Sequence, residues 1–139
     1  MSGKTEQLAQ RFLDRTLPKA EWTHEAHLRV GLWHVLLHGP NEALVLLRER
    51  IRNYNASVGV ANTDASGYHE TITRFYLDRI ARFVDAADCS LTIDELADAA
   101  VAGLADKRLP LRYYSRERLE SVEARRQWVE PDVKPLASG

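Results

Sequence analysis

Hydrophobic positions along the chain recur at the spacing of amphipathic helices. Apolar residues come three or four positions apart, and no useful length of sequence alternates as a half-buried strand would. The pattern predicts helices over about 5–17, from Thr23 to Gly39-Pro40, from Pro40 onward, over about 68–87, from a capping box at Thr92, and from Ser115 toward Pro131. Short connections favour antiparallel neighbours. The predicted fold is an all-α, single-domain bundle of about six helices.

Length and composition narrow the class of protein. The chain has 139 residues, a net charge of −1 and one cysteine, Cys89, which excludes a disulfide framework and a cysteine-rich zinc module. We predict one domain over 1–130 and a flexible tail over 131–139. The polar N-terminus and the lack of a long apolar run predict a cytoplasmic protein without membrane contact. The near-neutral charge argues against a nucleic-acid partner.

Four histidines lie within fifteen residues of the second predicted helix: His24, His27, His34 and His38. Their spacings of three, seven and four become a regular helical seam when Gly31 is included, within an arc of roughly 80°. Apolar residues flank this stripe, so we expect it to face the core or a cleft. A glycine midway leaves room for a ligand, at a cost of about 1 kcal/mol in helix propensity.

A second cluster of candidate residues begins the predicted helix 68–87. His69 lies on its core-facing side with Thr73 and Tyr76, and Glu70 lies at the edge of that face, where it could pair with Arg74. We expect Ser66 or Asp64 to cap this helix, which places His69 and Glu70 in the first turn. Two buried helices carrying histidines and a carboxylate could form a mononuclear metal site.

The predicted metal ligands are His27, His34 and His69, with His24 as a further candidate. Trp22 is expected to pack against His27, whereas His38 is explained by its place at the helix end. The expected metal is a divalent transition metal, iron or zinc first, with manganese or nickel as alternatives.

This metal site predicts an enzyme of oxygenase, hydrolase or lyase type that acts on a small anionic molecule. Glu70 would be a general base if it is not a ligand, Tyr68 would offer a phenol, and Arg74 would orient the substrate. These three residues are the predicted catalytic set.

Two segments resemble those of small bacterial proteins of unassigned function. The first is Trp22-Thr23-His24-Glu25-Ala26-His27-Leu28, and the second runs from Asn62 to Thr71 with the sequence NTDASGYHET. The likeness spans about residues 10–85. It implies that the two motifs belong together, and it carries no activity or cofactor with it.

Two alternatives to a metalloenzyme stay open at this point. One is a metal-free enzyme or binding module for a small molecule, using His69 and Glu70 for acid–base work or hydrogen bonding. The other is an interaction or regulatory bundle with structural histidines, whose basic stretch 108–126 contacts a partner. The apolar surface of the second helix also raises a homodimer as an expectation.

Overall fold

The structure, a computed structural model, describes residues 3–136, which form six α-helices and no strand. α1 spans Lys4–Leu13, α2 His24–Ser57, α3 Glu70–Ala86, α4 Ile93–Leu104, α5 Arg116–Leu119 and α6 Val122–Arg126. Short 3-10 turns at Lys19–Glu21 and Leu109–Arg112 precede α2 and α5. The predicted all-α bundle is confirmed.

α2 consists of two arms, residues 24–38 and 40–57, that meet at a sharp bend. Gly39 has φ 78° and ψ 162°, a conformation almost restricted to glycine, and Pro40 starts the second arm. Arg50 of the second arm contacts His34 of the first, so the arms fold back on each other. The two arms are the second and third helices that the sequence predicts.

The hydrophobic core has two neighbouring clusters. The larger lies among α1, α2, α3 and α4, and in it the Tyr54 hydroxyl donates to the Leu17 carbonyl at 2.7 Å. The smaller surrounds Phe75 of α3 and collects residues of the C-terminal segment, including Tyr114 and Val129. Partly buried Tyr76 packs against both clusters, so α3 connects them.

Several helix starts follow directly from capping residues. The Thr23 side chain accepts a hydrogen bond from the Ala26 N–H, as predicted for the start of α2. Thr92 and Glu95 form both hydrogen bonds of a capping box. The Ser115 hydroxyl caps α5. These three predicted starts are confirmed.

Three predicted boundaries are wrong. α1 ends at Leu13 rather than Leu17, because Arg15 takes a left-handed conformation with φ 61° and turns the chain. His69 is itself the cap of α3, accepting from the Ile72 N–H at 3.1 Å, so the expected caps Ser66 and Asp64 are not used. The predicted last helix is divided, because Ser121 caps a separate α6.

The C-terminal residues up to 136 lie against the bundle. The backbone N–H groups of Val133 and Lys134 both donate to the Tyr113 carbonyl, and Arg79 donates to the Leu136 carbonyl at 2.7 Å. The predicted flexibility of 131–139 stays a prediction, and 137–139 lie outside the described residues.

Candidate functional site

A cavity of about 310 Å³ lies between α3 and both arms of α2; we refer to it as the inner cavity. Its polar side chains are His24, His27, Thr73 and Tyr76. Trp22 adds an aromatic ring that carries an indole N–H, and the rest of the wall is apolar, formed by Leu28, Val30, Gly31, Leu47, Ile51, Ile72, Leu77 and Ile80. A mostly apolar cavity with a few polar groups is typical of a small-molecule site.

Gly31 lets α3 approach α2 closely at the wall of this cavity. A Cβ at this position would lie 3.1 Å from Ile80 Cδ1 and 3.8 Å from Leu77 Cδ2, so these side chains already occupy part of the space that a side chain at position 31 would need. The room for a ligand that the sequence predicts at Gly31 stays a prediction. Gly31 lines the cavity together with His24 and His27, but not with His34 or His38.

His27 has one nitrogen free to accept a hydrogen bond. Its Nδ1 lies 2.6 Å from the Thr23 carbonyl oxygen, and since a carbonyl only accepts, Nδ1 carries the hydrogen. Nε2 is then the unprotonated nitrogen of the neutral ring. The Trp22 ring packs on the imidazole with centroids 3.8 Å apart, as predicted. The His27 residue is exposed to solvent, and desolvation by the protein atoms around its ring, together with the His24 charge, lowers the pKa of His27.

The other three polar groups of the inner cavity also give their hydrogens to backbone carbonyls. The His24 Nε2–H donates to Leu104 at 3.1 Å, the Thr73 hydroxyl to His69 at 2.8 Å, and the Tyr76 hydroxyl to Asp106 at 3.3 Å. Burial, with the Asp106 charge, raises the pKa of Tyr76 to about 12, so its phenol stays protonated. The capacity left over at all four groups is for accepting hydrogen bonds.

A second cavity, of about 460 Å³, adjoins the first; we refer to it as the outer cavity. The two share walls at Trp22, His27, Ile51, Ile72 and Thr73. The loop between α2 and α3 encloses the outer cavity, together with Lys19, Asn55 and Arg125. The Arg125 Nη1 holds this loop by donating to the carbonyls of Gly67 and Tyr68, at 3.0 and 3.3 Å.

Three of the predicted ligands, His24, His27 and His69, line cavities in this region of the fold. A third, groove-like cavity of about 760 Å³ is lined by His24 and His69. Each of the three histidines lines two of the three cavities, and no cavity is lined by all three. Ile72 lines every one of the three cavities.

His34 lies apart from these cavities. It is fully buried, its Nδ1–H donates to the Val30 carbonyl at 2.8 Å, and its Nε2 accepts from Arg50 at 2.9 Å. Burial lowers the pKa of His34 to about 4, and the nearby Arg50 and His38 charges act in the same direction. Both nitrogens of the neutral ring are thus used within the protein.

His69 is also fully engaged. Its Nδ1 accepts from the Ile72 N–H, and its Nε2–H donates to the Leu119 carbonyl at 2.9 Å. Within residues 3–136, no group of three or more His, Cys, Asp or Glu residues is arranged to hold a metal ion. The metal centre stays a prediction from the sequence, and the geometry of the described chain lends it no support.

The three predicted catalytic residues have different surroundings. Both oxygens of the buried Glu70 accept from Arg48, at 2.9 and 2.6 Å, and the Tyr68 hydroxyl donates to Glu70 at 2.8 Å. The expected pair of Glu70 with Arg74 is wrong, because Arg74 is exposed and lies over the Trp128 ring at 4.5 Å. Tyr68 lines the outer cavity, but neither Glu70 nor Arg74 lines the inner or the outer one.

Several residues of the site were not among those expected from the sequence. Ile72 was absent, and Thr73 was expected only on the core-facing side of the helix, although both lie one helical turn before Tyr76 and so share its face. Lys19 gave no signal, and Arg125 was expected only as part of the basic stretch 108–126, because only the fold brings these distant segments to one cavity.

Comparisons of the chain with protein-family models, curated proteins and solved structures find no match. Across residues 3–136, none of the helices has the length and apolar character needed to cross a bilayer. Function therefore has to be argued from the geometry of the two cavities.

Proposed function

We propose that this protein is a metal-free binding module for a small, largely apolar molecule, which it holds in the inner cavity. The supporting observation is the direction of the hydrogen bonds around that cavity. His24, His27, Thr73 and Tyr76 each donate to a backbone carbonyl and retain only the capacity to accept. The complementary ligand has an apolar body and donates a hydrogen bond through a hydroxyl or an N–H group.

His27 is the main acceptor in this proposal. Its tautomer is set by Thr23 and its ring plane by Trp22, so the free Nε2 is held in place before a ligand arrives. Such preorganisation lowers the cost of binding. The lowered pKa keeps the ring neutral at pH 7, which preserves the acceptor.

The position of Glu70 favours binding over proton-transfer catalysis in the inner cavity. Glu70, the base expected from the sequence, is paired with Arg48 and Tyr68 outside the inner cavity. The chain's own side chains thus favour a binding module rather than an acid–base enzyme.

A matched pair of probes tests this function. 4-Methylphenol donates a hydrogen bond, and 4-methylanisole has nearly the same shape without that hydrogen. Amide NMR titrations should show saturable shifts at Gly31, Ile72 and Thr73, with the phenol binding about two- to tenfold more tightly, the range expected for one hydrogen bond. In His27→Phe, which keeps a ring beside Trp22, the two probes should bind equally.

The control variant is His38→Phe, which changes a histidine outside the inner and outer cavities and should retain the preference for the phenol. The proposal fails if neither probe gives saturable shifts, or if His27→Phe still prefers the phenol. Stoichiometric iron or zinc uptake that His27→Phe abolishes would contradict the metal-free character and restore the metal centre.

A further inference from the structure

The outer cavity has cations in its wall and no carboxylate. In the described part of the chain, Lys19 and Arg125 are the only Asp, Glu, Lys or Arg residues that line the outer cavity. The inner cavity has none of these four residue types in its described wall. Of the two adjoining cavities, the outer one therefore carries the positive charge.

Neither of these two cations has a carboxylate within ion-pair distance in residues 3–136, although Arg125 uses Nη1 to hold the loop. The neighbouring Arg126 differs, since it binds both oxygens of Asp64 at 2.7 and 2.6 Å. Asp64 lies in the wall of the groove-like cavity, which Arg125 also lines, and the Arg125 charge acts on it from a longer distance. No carboxylate lies in the described wall of the outer cavity.

Lys19 and Arg125 also differ in how firmly they are placed. Arg125 is half-buried and anchored on two carbonyl oxygens, which leaves Nε and Nη2 of its planar group for a ligand. Lys19 is exposed on the 3-10 turn before α2, where its long side chain can reach a group at the cavity mouth. One fixed and one adaptable cation are suited to an anionic group that enters with the apolar body.

We propose that the ligand carries an anionic group that lies between Lys19 and Arg125 in the outer cavity. This inference rests on the proposed function, and it adds the class of ligand. The molecule has an apolar body, a hydrogen-bond donor toward His27 and an anionic group such as a carboxylate at its other end. Its charge is recognised by residues that the sequence separates by more than a hundred positions.

The probes for this inference are 3-(4-hydroxyphenyl)propionate and the neutral 3-(4-hydroxyphenyl)propanamide. Both have the phenol and the same apolar body, and only the first is an anion at pH 7. Wild-type protein should bind the propionate about three- to fivefold more tightly, the upper range for a solvent-accessible ion pair. Raising the salt concentration should weaken propionate binding alone.

Lys19→Gln is the test variant, and Lys4→Gln is its matched control, because both remove one exposed lysine charge and Lys4 is outside the wall of the cavity. The preference for the propionate should be largely lost in Lys19→Gln and retained in Lys4→Gln. If wild type binds both probes equally, or if the two variants behave alike, the placement of an anionic group between Lys19 and Arg125 is excluded while the proposed function stands. If neither probe binds, both proposals fail.

Discussion

The residues around each imidazole ring of α2 determine which of its nitrogens is free to bind a ligand. His27 faces the Trp22 ring and open space, so one nitrogen stays free. Two turns later, the Phe12 ring lies 6.4 Å from His34 and Arg50 occupies its Nε2. Histidine is therefore a candidate ligand contact at position 27 and a fully hydrogen-bonded structural residue at position 34.

His34 should make stability dependent on pH. Its pKa is lowered from 6.5 to about 4, so the unfolded chain binds a proton that the folded chain excludes. The stability from this residue is complete above pH 6.5 and is lost as the pH falls toward 4. Between pH 7.5 and 5 the loss from His34 alone amounts to about 2 kcal/mol.

Urea unfolding of His34→Gln at these two pH values measures this effect. The variant should lose about 2 kcal/mol less than wild type on going to pH 5, whatever its stability at pH 7.5. Asn41→Gln, a change at an exposed residue without a titratable group, should follow the wild-type profile. A wild-type pH profile in His34→Gln would show that His34 is protonated in the folded protein.

Glu70 should stabilise the fold through its pairing with Arg48. Burial raises the pKa of Glu70, but the hydrogen bonds from Arg48 and Tyr68 outweigh it, so the pKa ends below 4.5. The carboxylate thus contributes stability above this pH, and the contribution disappears as the pH falls below it. Glu70→Gln should cost about 1–3 kcal/mol at pH 7 and less at pH 3.5, as measured by urea unfolding.

Glu49→Gln is the matched control for Glu70→Gln, because Glu49 follows Arg48 directly and is exposed. It should change the free energy of unfolding by less than about 0.5 kcal/mol at both pH values. Equal effects of the two substitutions would mean that the Glu70–Arg48 pair adds nothing to stability.

For single residues, the sequence predicts contacts between positions close along the chain better than contacts between separate helices. The contact of Trp22 with His27 follows from their positions around a helix start, and it was predicted. The partner of Glu70 was not, because Arg74 is its neighbour along α3 whereas Arg48 comes from the second arm of α2. Such a contact depends on how two helices pack, which local spacing does not specify.

Among the elements, the bend in α2 places the inner cavity. It returns the second arm across the first, so that Leu47 and Ile51 face Gly31 and α3 closes the remaining side. This bend depends on the backbone of Gly39 and not on space around it, since a Cβ there would meet nothing within 4 Å.

Gly39→Ala should therefore destabilise the protein although it creates no clash. Its φ of 78° and ψ of 162° are costly for a residue with a Cβ, by about 1–3 kcal/mol. Thermal unfolding should show a lowered Tm for this variant. An unchanged or raised Tm would mean that the bend tolerates an ordinary residue.

Gly103→Ala is the contrasting substitution. Gly103 lies inside α4, where a Cβ would come no closer to a neighbouring residue than 4.0 Å, at Phe83 Cε2. Alanine there should stabilise the helix by up to about 1 kcal/mol. Alanine is thus expected to lower the stability at Gly39 and to raise it at Gly103. This contrast distinguishes the cost of an unusual backbone conformation from the effect of helix propensity.

Helix positions were predicted well where a Ser or Thr caps the start, as at Thr23, Thr92 and Ser115. The start of α3 was misplaced because histidine is not among the preferred capping residues, and here the imidazole Nδ1 takes that role. The long predicted last helix failed because the Ser121 hydroxyl begins a new helix inside an unbroken polar pattern.

On the scale of the whole molecule, α3 organises the site. Its first turns present Ile72, Thr73 and Tyr76 to the cavities, while Phe75 on another face anchors the C-terminal segment. Arg125 and Arg126 of that segment in turn hold the loop that encloses the outer cavity. The periodicity of the sequence predicts the fold class. It does not predict this arrangement of cavities, because the cavities form only when four distant segments pack together.

The central claim is that the space beside Gly31 receives a small molecule, and filling that space tests it most directly. Gly31→Met places a flexible side chain in the inner cavity, and Gly103→Met makes the same change in α4, with circular dichroism confirming the helical fold of both. In amide NMR titrations with 4-methylphenol, we predict that the shifts at Ile72 and Thr73 vanish in Gly31→Met and persist in Gly103→Met. Undiminished binding by folded Gly31→Met would contradict the account.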